Sequence, residues 1–538
     1  MTQNTPLTRN LLLNREYERV WQRHCGFLDL TLAESVAVQR RLLEEQFEIA
    51  RKSKLWQTMF PAQVQELTLD NFRQIIPLTT YADYEPHLAG RPDDILGRPI
   101  QEWARTSGRG GRVKWIPYTP EAYLQLGEVS LADAILASAA FRGDVRVRQD
   151  DVVVTNLPAR PYLSGLAQVA TAEYVRFRLI PRLDEFEQMT YQERNAKIFE
   201  RAMVQGMDLL GSMTLVLVKM GEYFESDASR QRKFTWQALN PRLLWRYIRA
   251  RARARKEGRD HVLPRDLWQL KGLMCGGADT EIFRERIRNY WGRDPHESYG
   301  CTEAGILAVQ AWDCGDMTFI PHSAFMEFIP AQDWAAERLQ GAIPTRTLLI
   351  DELEVGSRYE VVISNFYGGP LLRYRLHDLI EVTAAGNEAL DIHLPQIRFV
   401  GRSGDFIDLS GFAGLIDEKQ LLTTLRDGNI PHSDWVIRKE ILTNESILHL
   451  YIELTPETDL GADEVKNRFH TTLKGLNPEY ANIEEMLGYI PVKVTILPMG
   501  TFSRYLAEQT EKGADMAHLK PNRINPSREI VDRLVHSL

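Results

Sequence analysis

Four cysteines, Cys25, Cys275, Cys301 and Cys314, are spread over 538 residues, and no two stand in a Cys-x-x-Cys pair. That spacing builds neither a disulfide framework nor a zinc site. Long apolar runs are missing too: the most apolar stretch, 213–218, is far too short to cross a bilayer. Positive charge is not in excess, since the formal net charge is -8. A phosphate backbone needs a basic face, so nucleic acid is not expected as the main partner; no membrane partner is expected either. A nucleotide is not excluded, because a few local groups bind one. The first ten residues lack the apolar centre of a secretory signal. No internal repeat or low-complexity linker stands out. A reduced, cytoplasmic protein is expected.

With 44% hydrophobic and 26% charged residues, the composition is that of a soluble globular chain. The length exceeds what one core fills, so a large domain with a smaller one is expected. The first 60 residues read helical, with Thr31 and Glu34 as a capping box. Pro77 and the aromatic-acidic stretch 81–84 are read as breaking that pattern. From about 103 to 408, short β-like runs alternate with helical ones. Strands are expected at 151–157, 348–350, 360–364 and 397–400, and a helix runs to Met203 from caps at Thr190 and Glu193. Such alternation implies an α/β domain with a parallel or mixed sheet. After about 402–409 the rhythm changes to helix 417–425, strands 435–442 and 447–454, helix 463–473 stopped by Gly475, and strand 492–497. The fold class is therefore α/β: a large N-terminal α/β domain over 1–402 and a smaller C-terminal α+β domain over 403–538.

Between 241 and 259 stand seven arginines and one lysine. They form either a solvated helix face or a docking surface for a phosphate-bearing partner such as coenzyme A or a carrier arm.

Four local motifs carry chemistry. The run Thr106-Ser107-Gly108-Arg109-Gly110-Gly111-Arg112-Val113-Lys114 bends easily and is rich in N–H, hydroxyl and cationic donors. It suits an anion cradle or a structural turn, and it fits neither standard nucleotide-loop pattern. In Tyr299-Gly300-Cys301-Thr302-Glu303 an aromatic could stack a base, a hydroxyl meet phosphate and a carboxylate hold Mg²⁺. Alternatively, it is a strand-to-helix turn with Thr302 as N-cap. Arg373-Tyr374-Arg375-Leu376-His377-Asp378 reads by itself as an edge strand with a salt bridge. Gly401-Arg402-Ser403-Gly404-Asp405 reads by itself as a turn.

In this order the four resemble the adenylate-forming superfamily. Its loop Thr-Ser-Gly-Thr-Thr-Gly-x-Pro-Lys matches Thr106 to Lys114 in length. Its Tyr-Gly-x-Thr-Glu matches Tyr299 to Glu303, its Tyr-Arg-x-Gly-Asp matches Tyr374, Arg375 and Asp378, and its Gly-Arg-x-x-Asp matches Gly401, Arg402 and Asp405. Gly276-Gly277-Ala278 falls where the superfamily flanks adenine. Ile76-Pro77-Leu78-Thr79-Thr80-Tyr81, Trp115-Ile116-Pro117-Tyr118-Thr119 and the tail around Lys520-Pro521-Asn522-Arg523 are similar to the plant auxin-conjugating acyl acid amido synthetases and their bacterial homologues. The sequence departs from the pattern at Arg109-Gly110, where the superfamily has hydroxyl residues, and at His377, where it has glycine.

The resemblance implies an enzyme that uses ATP and Mg²⁺ to activate a small carboxylic acid as acyl-AMP, then passes the acyl group to an amine, forming an amide. An acyl-CoA ligase or carrier-protein loader, with a thiol acceptor, shares the first step. A non-catalytic nucleotide-binding homologue is the alternative of another class. By resemblance, Thr106, Ser107, Gly108, Arg109, Gly110, Gly111 and Lys114 hold phosphates. Tyr299 and Gly277, the latter within Gly276-Gly277-Ala278, flank adenine, and Gly300 and Cys301 belong to the nucleotide site. Thr302 contacts phosphate, Glu303 holds Mg²⁺, Asp378 accepts the ribose hydroxyls with Arg402 nearby, and Lys520, with Lys512 as rival, meets developing charge. The acid is expected against Tyr162, Leu163, Gly165, Leu166 and Val169, with Tyr174 and Phe177 at the margin.

Overall fold

A computed structural model describes residues 5–106, 114–182, 185, 191–225, 241–276, 280–331, 333, 346–402, 406–409, 415–442, 445–511, 523–526 and 528–536. Contacts divide the chain into two compact units, one of Met1–Thr106 with Lys114–Gly401, the other built on Arg402–Leu538.

The larger unit is organised by a mixed sheet of eleven strands. One half is parallel: Arg178–Ile180, Val152–Thr155, Leu209–Met213, Gly272–Gly276 and His296–Cys301 lie side by side in that order. All four Val152–Thr155 side chains are buried, as a strand covered on both faces requires. The other half contains Gly305–Gln310, Met317–Phe319, Gln396–Arg402, Tyr374–Ala384, Arg358–Asn365 and Ala324–Pro330, with antiparallel pairings. The halves join where His296–Cys301 turns into Gly305–Gln310. Helix Pro120–Ser138 runs through the core with Leu131, Ile135 and Leu136 fully buried. Thr119 caps it by accepting from the Ala122 N–H at 3.1 Å, and Pro120 occupies its first turn. Gly127 lets it touch helix Leu163–Thr171, because a Cβ there would stand 2.3 Å from the Ala170 carbonyl oxygen.

In the N-terminal region, helix Leu32–Ala50 starts at the expected Thr31–Glu34 box, with both reciprocal hydrogen bonds formed. Three expectations are corrected. Residues 81–84 do not break the pattern: Tyr81–Leu88 is a helix, opened by Asp83 accepting the Thr80 N–H at 2.7 Å. Residues 348–350 are not a strand. Leu348 makes one isolated bridge to Phe328, and the chain then winds into the 3₁₀ turn Ile350–Glu352. Gly475 does not stop its helix, which runs Ala462–Leu476 and ends at Asn477.

The smaller unit holds a three-stranded sheet. Strands His432–Leu442 and Glu445–Leu454 pair antiparallel, and Val492–Leu497 adds parallel to the latter. Val436, Tyr451 and Leu497 from this sheet pack with Phe502, Tyr505, Val531 and Leu534 from helices Thr501–Glu511 and Arg528–His536.

Candidate active site

The glycine-rich run links the short antiparallel strands Glu102–Arg105 and Trp115–Tyr118. Its ends are tied: the Thr106 N–H donates to the Lys114 carbonyl at 3.0 Å, and the Lys114 N–H donates to Thr106 Oγ1 at 3.3 Å. Ser107, Gly108, Arg109, Gly110 and Gly111 lie outside the described residues. From the tied end the Lys114 ammonium reaches Glu303 Oε1 at 3.1 Å and the Tyr374 hydroxyl at 2.9 Å. The Tyr374 hydroxyl also donates to Glu303 Oε1 at 3.3 Å, closing a triangle. Tyr81 adds an aromatic face 5.5 Å from Lys114 Nζ, and its hydroxyl accepts the Trp115 N–H at 2.9 Å.

Glu303 is placed by a β-hairpin. Strand His296–Cys301 ends, residues 302–304 turn, and Gly305 opens the return strand paired with Cys301. The alternative with Thr302 as a helix N-cap is therefore wrong, since no helix follows. Gly305 takes φ +76°, and a Cβ on Gly300 would press to 3.0 Å on the Gly305 carbonyl oxygen, so both glycines serve the turn. The Thr302 carbonyl accepts from the Tyr118 hydroxyl at 2.9 Å, and the Glu303 carbonyl accepts from Asn365 Nδ2 at 2.8 Å. Glu303 is buried, at 8% exposure. Burial first, and then the Glu303 charge, pushes the Cys301 thiol and the Tyr374 phenol well up, so both keep their protons. Tyr299 donates from its hydroxyl to Asp378 Oδ2 at 2.9 Å and stacks on Phe399 with ring centroids 5.6 Å apart. The second and third motifs thus touch twice.

The third motif is not an edge strand. Tyr374–Ala384 lies inside the sheet between Arg358–Asn365 and Gln396–Arg402. Arg373 pairs with buried Glu327 at 3.0 Å, and Arg375 grips buried Glu360 through two bonds of 2.8 and 2.9 Å. His377 has φ +60°, the left-handed backbone that favours glycine, and its Nδ1 lies 3.3 Å from Glu360 Oε1. Burial alone would raise the Glu360 carboxyl, but hydrogen bonds from His377 and Arg375 outweigh it and hold its pKa at about 2.

Gly276 ends its strand, and its carbonyl accepts from Thr214 Oγ1 at 3.3 Å. Gly277, Ala278, Lys512 and Lys520 lie outside the described residues, as does the Arg402 side chain. Tyr162 precedes helix Leu163–Thr171, which carries Leu163, Gly165, Leu166 and, toward its end, Val169. Arg105 sits 5.5 Å over the Tyr162 ring. Leu166 belongs to the main core, and Leu163 and Val169 pack partly buried against it. Gly165 is confined, because a Cβ would meet the Arg160 nitrogen at 2.2 Å. Among the described residues no cluster of three His, Cys, Asp or Glu could hold a metal by itself. No described helix is long and apolar enough to cross a membrane.

Sequence reasoning assigned no role to Tyr374, Tyr81, Tyr118 or Asn365. Tyr374 stood inside the third motif, and Tyr81 and Tyr118 inside the stretches similar to the amido synthetases, but none was given a contact to make, and nothing local marks Asn365.

Three domain models of one family match in order: the GH3 family N-terminal domain over 26–157, the central domain over 317–402 and the C-terminal domain over 419–529. The chain is 24% identical over 237 residues to the indole-3-acetic acid-amido synthetase GH3.3 of Arabidopsis thaliana, covering 41% of this chain and 37% of that protein. It is 24% identical over 279 residues to the jasmonoyl--L-amino acid synthetase GH3.5 of Oryza sativa subsp. japonica, covering 48% and 46%. The chain thus spans less than half the length of these curated relatives. Among solved structures, the GH3.15 acyl acid amido synthetase aligns over 93% of both chains, with 16% identity and a TM-score of 0.50. A 2-hydroxyisobutyryl-CoA ligase aligns over 88% of both, with 16% identity and a TM-score of 0.57. At such identities the solved structures establish a shared fold. With the three domain models in order along it, the chain belongs to the GH3 family.

Proposed function

We propose that this protein activates a carboxylic acid as its acyl-adenylate and then transfers the acyl group to an amine, forming an amide. One observation carries the reading. Lys114, at the end of the glycine-rich loop, Glu303 of the hairpin motif and Tyr374 of the third motif converge within 3.3 Å of one another from three separate parts of the chain. They do so where the parallel half of the sheet ends, the edge at which such sheets bind ligands.

A carboxylate cannot expel oxide, so it needs a better leaving group. Its oxygen attacks the α-phosphorus of ATP, the bond to the β-phosphate oxygen breaks, and pyrophosphate leaves. An amine then attacks the acyl carbon, loses a proton and expels AMP. Both steps need positioning and charge neutralisation rather than a covalent protein intermediate. In this reading the loop 107–111 cradles the polyphosphate, and Arg109 supplies charge where relatives carry a hydroxyl. Lys114 trades its carboxylate partner for phosphate oxygen. Thr302 bonds phosphate, Tyr299 and Gly277 flank adenine, and Asp378 accepts the ribose hydroxyls beside Arg402. Lys520, from the smaller unit, neutralises charge in the adenylation step. Domain roles follow: residues up to about 402 bind ATP and acid, and the remainder brings Lys520 to the adenylation step.

The residues fit one Mg²⁺. Glu303 offers a single buried carboxylate, and this ion commonly binds through one or two carboxylates with phosphates and water completing its shell. When bound, the ion neutralises phosphate charge. The Tyr374 hydroxyl keeps the carboxylate oriented.

A second reading, transfer to the thiol of coenzyme A or a carrier, rests on Tyr299-Gly300-Cys301-Thr302-Glu303, which is closest in form to the CoA-ligase branch. Supplying a panel of acids with ATP, alone, with amino acids and with coenzyme A, separates the two. Amide product with amino acids supports the first reading, and thioester without amide supports the second.

A further inference from the structure

Helix Pro241–Lys256 carries six arginines, one lysine and no acidic residue. One side is anchored. Ala250 and Ala254 are buried, Arg246 donates to the Ala202 carbonyl at 2.8 Å, and Arg253 donates to the Asp266 carbonyl at 3.0 Å. The other side is exposed and is not simply polar. Leu244, Trp245, Tyr247 and Ile248 are 42%, 61%, 41% and 55% exposed. The other large apolar residues exposed among the described ones stand singly along the chain. Arg249 lies 4.4 Å over the Trp245 ring, and Arg255 and Lys256 are exposed further along. Positions 245, 248, 249, 252, 255 and 256 follow helical spacing and share one stripe.

A solvated helix face does not gather four large apolar side chains beside its cations, because each loses free energy by staying in water. We infer that this face docks on the surface of an anionic phospholipid bilayer, with Trp245, Ile248 and Leu244 at the headgroup–acyl boundary and Arg249, Arg255 and Lys256 on lipid phosphates. Projecting apolar tips flanked by cations match what an interfacial helix presents. The chain as a whole carries a net charge of -8, so attraction to negative lipid must come from a local face such as this one. The absence of any acidic residue in the helix leaves that attraction unopposed from within it. The inference does not rest on the proposed chemistry.

Flotation of the full-length protein with phosphatidylcholine vesicles, with and without phosphatidylserine, tests it. Binding is expected only with phosphatidylserine and is weakened by salt. Combining Arg249→Glu, Arg255→Glu and Lys256→Glu should lower partitioning by about a hundredfold or more. Combining Trp245→Ser and Ile248→Ser should lower it by at least about tenfold. All five residues are exposed, so circular dichroism should be unchanged in both variants. Failure of the wild type to float with phosphatidylserine, or flotation of both variants equal to that of the wild type, overturns the inference. So does retention on immobilised polyglutamate without vesicle binding, which marks an acidic-protein site instead.

Discussion

Lys114 and Glu303, 189 residues apart in sequence, meet at 3.1 Å, and the hydroxyl of Tyr374 bonds both. The loop end and the hairpin tip are therefore held in register by one phenol oxygen that sequence reasoning passed over.

Tyr374→Phe removes that oxygen and little else. A buried hydroxyl bonded to charged groups contributes about 1–3 kcal/mol, so urea unfolding should show a loss in that range. Lys114 and Glu303 lose their common partner, and the KM for ATP should rise several-fold while kcat falls less. Wild-type KM and kcat in a folded variant would show that Tyr374 positions nothing.

Glu303→Gln tests the carboxylate. An amide oxygen carries no charge for a cation, and metal-assisted phosphate chemistry leans on that charge for several kcal/mol. Acid-dependent pyrophosphate release should nearly vanish while far-UV circular dichroism is preserved. Near-normal release would move the cation elsewhere.

His377 stands at φ +60°, at the position where the adenylate-forming pattern that the sequence resembles has glycine. Its ring partner Glu360 accounts for its presence, while its Cβ is strained. His377→Ala and His377→Gly both lose the ring, but only alanine keeps the Cβ. The alanine variant should be less stable than the glycine variant by about 1 kcal/mol. Equal stabilities would mean that the backbone relaxes away from the left-handed region.

Glu360 gives a pH signature. Its folded pKa is about 2, below the unfolded value, so the unfolded state binds more protons in acid. This contribution is fully present above the unfolded pKa of about 4.3 and is lost as pH falls toward 2. It amounts to on the order of 3 kcal/mol. Unfolding by urea at stepped pH should show it, and Glu360→Gln should flatten that part of the profile from a lower starting stability. An unchanged acid slope in a folded Glu360→Gln variant would contradict the assignment.

The glycine run, the Tyr-Gly-x-Thr-Glu turn and the strand of arginines stood out because each is a local pattern, though the hairpin and the inner-strand position of the last two were not read from it. Capping was legible at Thr31 for the same reason. What joins the motifs was not, because Tyr81, Tyr118, Asn365 and Tyr374 act across distances that only the fold closes. Local competition explains the misread elements. Asp83, accepting the Thr80 N–H, opens the helix Tyr81–Leu88 at the aromatic-acidic stretch that was read as a break. Glu352 accepting the Leu349 N–H at 2.8 Å turns an apolar triplet away from strand pairing. Gly475 is exposed and unconstrained, whereas Asn477 accepts the Tyr480 N–H at 2.9 Å and so opens helix Pro478–Leu487.

The central claim, adenylation, is tested most directly by identifying what leaves ATP when the purified protein is given a panel of carboxylic acids. The convergence of Lys114, Tyr374 and Glu303 predicts cleavage between the α- and β-phosphates: acid-dependent pyrophosphate, with AMP appearing once an acceptor is added. ADP and inorganic phosphate as the products would contradict it and point to an acyl-phosphate route.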